Sequence, residues 1–144
     1  MNKLYIVRGL PGSGKSTYVL KNLHNVLHFE ADKFYINDQH EYNFDSNLIS
    51  VAHEWCFSNV VKALRDGHDV AVSNTFTKMW ELDKYLTLKE KYGLNVEIKI
   101  IEIKTQFDNI HGVPEGKLEQ MKNRWAEIPE ELGLDVTRIT NASS

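Results

Sequence analysis

The chain has 144 residues, of which 42% are hydrophobic and 26% are charged, the size and composition of a single globular domain. Its net charge of −3, from 17 basic and 20 acidic side chains, excludes a protein that coats nucleic acid along its length. Any contact with a polynucleotide is therefore predicted to be local, at an end or at a few phosphates. The single cysteine excludes a disulfide framework within the chain, and no apolar run approaches the roughly 20 residues of a membrane span. We expect a cytoplasmic protein without a membrane partner.

The first part of the chain predicts a strand, a helix and a second strand. Residues 4–8 form a short apolar, partly β-branched run of the kind found in buried strands. Residues 15–26 carry apolar side chains at helical spacing, and residues 26–30 are a second strand candidate. Residues 31–43 are polar and aromatic without a period, which predicts a loop.

The middle of the chain predicts two further strands, each preceded by a helix. Asp45 is expected to cap a helix over residues 46–66, which ends at a glycine and is followed by a strand at 68–73. A second helix is predicted over residues 80–91. Residues 95–103 then alternate apolar and polar side chains, the strongest strand pattern in the sequence.

The last part of the chain is helical over residues 115–128, while residues 129–144 show no clear pattern. Strands that alternate with helices predict an α/β fold, with a central parallel sheet covered by helices on both faces. In such sheets ligands bind beyond the carboxyl ends of the strands. Gly9, Asp32 and Ser73 each follow a predicted strand, so we expect them to converge on one crevice.

The clearest motif is a glycine-rich loop between the first predicted strand and the first predicted helix. It matches the pattern G-x-x-x-x-G-K-[ST] in full, through Gly9, Leu10, Pro11, Gly12, Ser13, Gly14, Lys15 and Ser16. Glycines let successive backbone N–H groups point at an anion, and the dipole of the following helix favours the same charge. Lys15 is expected to reach the β and γ phosphates of ATP, Ser16 to ligate Mg²⁺, and Thr17 to help hold the α phosphate. The alternative, a glycine-rich turn with a chance lysine, explains neither the full match nor the strand–loop–helix setting.

Asp32 is the first candidate for contact with a second substrate, because it follows a predicted strand. An aspartate there could take the proton of an attacking hydroxyl, but its spacing fits a loop carboxylate or a helix cap equally well. After the third predicted strand, Ser73 and Asn74 stand where many P-loop proteins place a carboxylate that organises magnesium. These neutral groups could hold a magnesium-bound water, or they could be only turn and cap residues.

Three basic residues, Lys117, Lys122 and Arg124, lie on the last predicted helix. A basic group in this region could neutralise charge on a transferred phosphoryl group. It could equally belong to a solvated helix face, since glutamates are interleaved with these residues. We favour the solvated face for Lys122 and keep both interpretations for Lys117 and Arg124.

The long central helix carries a histidine and the cysteine. His53 and Cys56 are predicted to be packing residues, because no second ligand lies at metal spacing and no base accompanies the thiol. The aromatic residues that are also predicted to lie in the core are Phe44, Trp55, Phe57 and Trp80.

Several separated segments resemble the phage-type polynucleotide kinase branch of the P-loop kinases. They are the nucleotide loop 9–17, the Asp-bearing stretch 31–35, the helix segments 42–56 and 80–85, and the lid stretch 111–124. The resemblance runs from Leu4 to about Glu127 and implies a three-layer P-loop kinase fold with a small helical lid at about residues 105–128. We expect one such domain over residues 1–144.

The resemblance also implies an activity. ATP, with Mg²⁺, would donate its γ-phosphoryl group to the 5′-hydroxyl end of DNA or RNA. Asp32 would be the general base, and Lys15 and Arg124 the further catalytic residues. Two alternatives stay open: a kinase of a nucleoside or another small hydroxyl acceptor, and a non-catalytic ATP-binding module.

Departures from the family pattern keep these alternatives open. The family often carries an aspartate where this chain has Ser73, and an Arg-Asn pair where it has Asp108 and Asn109. A further basic position of the lid corresponds to Glu119, and the arginine offered to the acceptor strand corresponds to Tyr35. Fewer cations at the lid predict weaker stabilisation of the transition state. Fewer cations at the acceptor site weaken the case that the substrate is the end of a nucleic acid.

Overall fold

The computed structural model describes residues 2–104, 120–121 and 123–140. Its centre is a sheet of five strands in the order β2-β3-β1-β4-β5, and every neighbouring pair is parallel. The strands are β1 Asn2–Gly9, β2 Val26–Phe29, β3 Asp69–Asn74, β4 Val96–Ile103 and β5 Val136–Ile139. The helices are α1 Lys15–Asn22, α2 Ile49–Arg65, α3 Met79–Leu86 and α4 Leu88–Tyr92, with 3₁₀ turns at Ala31–Tyr35, Ser46–Leu48 and Glu130–Leu132.

Both faces of the sheet are covered by helices. In β1, Leu4 and Ile6 face the larger apolar cluster, which includes buried residues of α2, α3 and α4. Val7 faces the opposite way, into a smaller cluster with Val19 of α1. Such near-continuous apolar strands are typical of parallel sheets buried on both faces. The predicted α/β fold, with a central parallel sheet flanked by helices, is confirmed.

Several element boundaries differ from the prediction. Helix α1 ends at Asn22 rather than 26, because the chain turns into β2 through Asn25, which has a positive φ of 60°. Asp45 does act as a cap, accepting a hydrogen bond from the Asn47 amide at 2.9 Å, but it caps a 3₁₀ turn that precedes α2. The helix predicted at 80–91 is two helices that meet at Thr87. The strand β5 lies in the tail, for which no element is predicted from the sequence.

The prediction of four core aromatic residues is correct only for Phe57. Phe57 is 6% exposed, whereas Trp55, Phe44 and Trp80 are 38%, 48% and 72% exposed. Phe57 lies on the stripe of α2 that faces the sheet, together with Val60 and Leu64. Trp55 and Trp80 lie on helices but outside the buried stripe, and Phe44 precedes α2. Helical periodicity alone does not distinguish these positions from core positions.

The predicted lid falls largely outside the described residues. This applies to the His-Gly-Val-Pro stretch 111–114 and to Asp108, Asn109, Lys117, Glu119 and Lys122, which lie at 105–119 and 122. Over the ranges that the structure describes, no helix has the length and apolar character needed to cross a membrane.

Candidate active site

The glycine-rich loop joins β1 to α1 at the carboxyl edge of the sheet. Gly12 and Gly14 have φ values of 79° and 95°, in the left-handed region that side chains with a Cβ rarely adopt. Gly9 is required for a different reason, since a Cβ there would lie 2.5 Å from the Ser13 hydroxyl and 3.0 Å from the carbonyl oxygen of Ile103. The loop conformation therefore depends on glycine at all three positions.

Lys15 curls back over this loop. Its ammonium group donates to the carbonyl oxygens of Gly9 at 3.0 Å and Leu10 at 3.1 Å. Burial lowers the pKa of Lys15 to about 8, although the negative charges of Glu30 and Asp32 oppose the shift. The charges of Glu30 and Asp32 thus act on Lys15, and the lysine charge lies where the tail of a nucleotide would meet the loop.

A carboxylate missed in the sequence analysis lies beside Ser16. The Ser16 hydroxyl donates to Oε1 of Glu30 at 2.5 Å, and the Ser73 hydroxyl donates to the same oxygen at 3.0 Å. Nε2 of His28 lies 2.6 Å from the Ser73 hydroxyl, and Nζ of Lys33 lies 3.9 Å from Oε2 of Glu30. The acid that is absent after β3 is therefore supplied by the residue that follows β2, the neighbouring strand.

The oxygen donors of Ser16 and Glu30 fit magnesium, the metal that P-loop kinases use with their nucleotide. Mg²⁺ prefers oxygen ligands and is commonly held by one or two protein groups together with substrate phosphates. Within the described part of the chain, no cluster of three or more His, Cys, Asp or Glu side chains forms an all-protein metal site. Phosphate oxygens would have to complete the coordination of a bound magnesium ion.

Asp32 lies in the 3₁₀ turn that follows β2. The turn is tied to the end of β3, because the Ala31 amide donates to Oδ1 of Asn74 at 2.9 Å. The side chain of Asp32 is exposed, and its Oδ1 accepts a hydrogen bond from the hydroxyl of Tyr42 at 2.7 Å. Burial and this hydrogen bond raise the pKa of Tyr42, so the phenol keeps its proton and remains a donor. Asp32 does not cap the turn, since the N-cap position belongs to Glu30.

A buried charge network joins the phosphate loop to the segment around residue 125. Arg8, the residue before Gly9, is fully buried and pairs with the fully buried Glu102 at 2.6 Å. The guanidinium also donates to the carbonyl oxygen of Phe76 at 3.1 and 2.5 Å, and it lies 3.8 Å above the ring of Trp125. Four separate segments of chain are therefore fixed to each other directly beneath the loop.

The predicted residues Arg124 and Thr17 are both exposed. Arg124 ends a helical turn, its amide donating to the carbonyl oxygen of Gln120 at 3.2 Å. The next residue, Trp125, is the one that packs on Arg8, which brings Arg124 to the same edge of the sheet as the loop. In the described ranges, no hydrogen bond or ion pair joins Arg124 to the loop itself.

His53 and Cys56 lie on α2. Cys56 is buried, accepts a hydrogen bond from the Tyr85 hydroxyl at 3.9 Å, and has a pKa raised by burial. His53 is half-buried, and burial lowers its pKa. Both are positioned as packing residues, as the sequence indicated.

The chain is similar to several known proteins. A family profile described as an AAA domain matches residues 4–111. Human NEDD4-binding protein 2 is 33% identical over 141 residues, covering 88% of this chain but only 8% of that protein. An uncharacterized protein of Pasteurella multocida is 29% identical over 129 residues, covering 78% of this chain and 70% of that protein.

Solved structures share the fold at low identity. A sugar kinase from Janibacter superposes with a TM-score of 0.67 at 13% identity, covering 97% of this chain and 86% of the other. A gluconokinase from Sinorhizobium meliloti superposes with a TM-score of 0.58 at 14% identity, covering 96% of this chain and 83% of the other. A chain of the Pnkp1/Rnl/Hen1 complex superposes with a TM-score of 0.56 at 20% identity, covering 83% of this chain and 38% of the other.

The parallel sheet and the glycine-rich loop define the fold of a P-loop kinase. The profile match shows that the chain belongs to the AAA domain family, and the resemblance to the polynucleotide kinase-like P-loop kinases is confirmed.

Proposed function

We propose that the protein is an ATP-dependent kinase that phosphorylates the 5′-hydroxyl of a polynucleotide end, with Asp32 as the general base. The observation that carries this proposal is that Lys15, which follows β1, and Asp32, which follows β2, lie at the same edge of the sheet with β3 between their strands, and that the charge of Asp32 acts on Lys15. A carboxylate beside a phosphate-binding lysine is the arrangement that phosphoryl transfer to a hydroxyl needs.

The residues of the loop would hold the donor nucleotide. The backbone of Gly9, Leu10, Pro11, Gly12, Ser13 and Gly14 would surround the phosphates, with Thr17 beside the α phosphate. Lys15 would exchange its two carbonyl acceptors for phosphate oxygens. Ser16 and Glu30 would hold Mg²⁺, which supplies charge neutralisation on the phosphate oxygens. Arg124 would add positive charge from the lid side.

Asp32 would act on the acceptor. Its Oδ1 atom is engaged by Tyr42, which leaves Oδ2 to take the proton of the acceptor hydroxyl. As that proton leaves, the acceptor oxygen forms a bond to the γ-phosphorus. The bond from the γ-phosphorus to the bridging oxygen breaks, and ADP departs with that electron pair. The products are ADP, a phosphomonoester and a proton, which is later released from Asp32.

A second candidate is a kinase of a nucleoside or another small hydroxyl compound. The charges around Asp32 favour it, because Lys33 is the only lysine or arginine between residues 31 and 55. A long phosphate backbone would find few cations there.

Transfer of labelled γ-phosphate from ATP tests the proposal. Wild-type protein should label a 5′-hydroxyl oligonucleotide, and Lys15→Ala should abolish both this labelling and ATP binding. Asp66→Asn is the matched control, because Asp66 is an exposed carboxylate beyond the end of α2, and this variant should behave as wild type. Labelling of uridine without labelling of oligonucleotides would select the small-acceptor alternative. ATP binding without labelling of any hydroxyl compound would leave only the non-catalytic module.

A further inference from the structure

Five aromatic rings form a continuous surface beside Asp32, which we call the aromatic surface: Phe34, Tyr35, Tyr42, Phe44 and Trp55. Tyr35 lies at its centre, with ring centroids 5.6 Å from Phe34, 6.0 Å from Tyr42 and 5.0 Å from Phe44. The ring of Trp55 on α2 extends it, 5.7 Å from Phe34. Tyr35 is buried, whereas Tyr42 is 52% exposed. A buried ring thus supports an outer layer of rings that solvent reaches.

The position of Tyr42 is fixed by local structure. Ile36 and Tyr42 form an antiparallel bridge, and the Asn37 amide donates to the carbonyl oxygen of Glu41 at 2.9 Å. Oδ1 of Asn37 accepts from the amides of Gln39 and Glu41, both at 2.9 Å. The short hairpin that carries Tyr42 is therefore closed by its own hydrogen bonds.

The stretch of chain that carries the aromatic surface is rich in acidic residues. Between residues 31 and 55 the acidic side chains are Asp32, Asp38, Glu41, Asp45 and Glu54. Lys33 is the only lysine or arginine in this stretch, and its ammonium lies 3.9 Å from Glu30. Such charges disfavour a string of phosphates but not an uncharged heterocycle. Among ligands that stack on aromatic rings, the surface therefore fits a neutral nucleobase.

We infer that the aromatic surface binds the nucleobase of the acceptor and so places a sugar hydroxyl at Asp32. This inference rests on the proposed function, since it names the acceptor of that same site. Tyr42 links the two parts, because its ring belongs to the surface while its hydroxyl holds Oδ1 of Asp32 at 2.7 Å. One sugar ring separates the base of a nucleoside from its 5′-hydroxyl, which matches a base site that adjoins the general base.

Binding of three probes, measured by calorimetry in the presence of a saturating non-hydrolysable ATP analogue and Mg²⁺, tests the inference. The probes are uridine, 1,4-anhydro-D-ribitol as the sugar without a base, and the dinucleotide uridylyl-uridine. Uridine should bind about tenfold or more tightly than anhydroribitol, the range expected for stacking of one base. Equal affinity for uridine and uridylyl-uridine identifies a free nucleoside as the acceptor, and tighter binding of the dinucleotide identifies a polynucleotide end.

Variants separate stacking from folding. Tyr42→Ala and Phe44→Ala should each lower the affinity for uridine several-fold or more and leave the affinity for anhydroribitol unchanged. Tyr42→Phe keeps the ring and should retain most of the uridine affinity. Tyr92→Ala is the matched control, because Tyr92 is 43% exposed, ends α4, and contacts the ring of Phe57, which is not part of the aromatic surface. Equal binding of uridine and anhydroribitol, or wild-type uridine affinity in both alanine variants, would overturn the inference. Base-dependent binding without phosphoryl transfer would instead contradict the proposed function and leave the base site standing.

Discussion

Glu30 lies one residue beyond β2, and its Oε1 atom accepts hydrogen bonds from Ser16 and Ser73. The sequence does not indicate this role, because many P-loop proteins place the corresponding acid after the strand that here carries Ser73. Only the parallel pairing of β2 with β3 brings the two residues together, 43 positions apart. Single-sequence patterns report local structure, and they carry no direct signal for such a pairing.

Replacing Glu30 by glutamine should weaken the dependence of nucleotide binding on magnesium. The substitution removes the negative charge beside Ser16, and loss of such a supporting group typically lowers metal affinity by about tenfold or more. Calorimetric titration of ADP at increasing Mg²⁺ measures this without requiring catalysis. Glu90→Gln on α4 is the control, an exposed carboxylate elsewhere on the fold. An unchanged magnesium dependence in Glu30→Gln would remove Glu30 from the metal site.

Replacing Glu102 by glutamine should destabilise the fold by about 3 kcal/mol or more, because it leaves the buried guanidinium of Arg8 without its counter-charge. Urea denaturation measures the free energy of unfolding. Glu97→Gln, on the same strand but exposed, should cost less than about 1 kcal/mol. A loss below about 1 kcal/mol for Glu102→Gln would show that the buried guanidinium of Arg8 does not depend on this carboxylate.

His53 should make the protein less stable in mild acid. Burial and the charge of Lys84 lower its pKa in the folded state, against the opposing effect of Glu81. Below about pH 6.5 the unfolded chain therefore binds more protons at this residue, and stability falls as pH falls, by up to about 1.4 kcal/mol per pH unit. In His53→Gln the difference in unfolding free energy between pH 7.5 and 5.5 should be smaller. The control is His24→Gln, at an exposed position, which should leave the difference between the two pH values as it is in the wild type. If His53→Gln also shows the wild-type difference, the account is contradicted.

At the scale of elements, the sequence predicted what local patterning specifies. The strands β1 and β3 are indicated by short apolar runs, which are typical of the central strands of a parallel sheet, and β4 by its alternation of apolar and polar residues. β5 was missed because this edge strand has only four residues, with Thr137 and Arg138 exposed. The loop from Gly9 to Ser16 was found in full because its chemistry is encoded in consecutive residues.

The turn from β1 to α1 gives a prediction of its own. In Gly9→Ala the new Cβ would lie 2.5 Å from the Ser13 hydroxyl and 3.0 Å from a backbone oxygen, so the loop must shift. We expect the affinity for Mg·ATP, measured by calorimetry, to fall about tenfold or more. Gly67→Ala is the control, because an added Cβ there would meet no neighbouring atom, although φ is 93°. This variant should lose about 1 kcal/mol of stability without a change in ATP affinity. Wild-type affinity in Gly9→Ala would show that the loop tolerates a side chain at this position.

At the scale of the whole molecule, one edge of the sheet gathers the groups of the site. Lys15 begins α1 after the loop that follows β1, Glu30 and Asp32 follow β2, and Ser73 is the penultimate residue of β3. These strands are neighbours in space although the chain separates them by whole helices, which is how a parallel α/β sheet concentrates ligands at one edge. The order of the strands thus explains why residues from three segments face a single nucleotide loop. One domain over residues 1–144 and the function of the lid remain predictions.

The most direct measurement compares ATP binding with phosphoryl transfer in Asp32→Asn. Asparagine keeps the size of the side chain and its position after β2 but cannot take the proton of a hydroxyl. The account predicts a Kd for Mg·ATP within about twofold of the wild type, and single-turnover transfer to the acceptor slower by a factor of about 10² to 10⁴. Transfer at the wild-type rate in Asp32→Asn would contradict it.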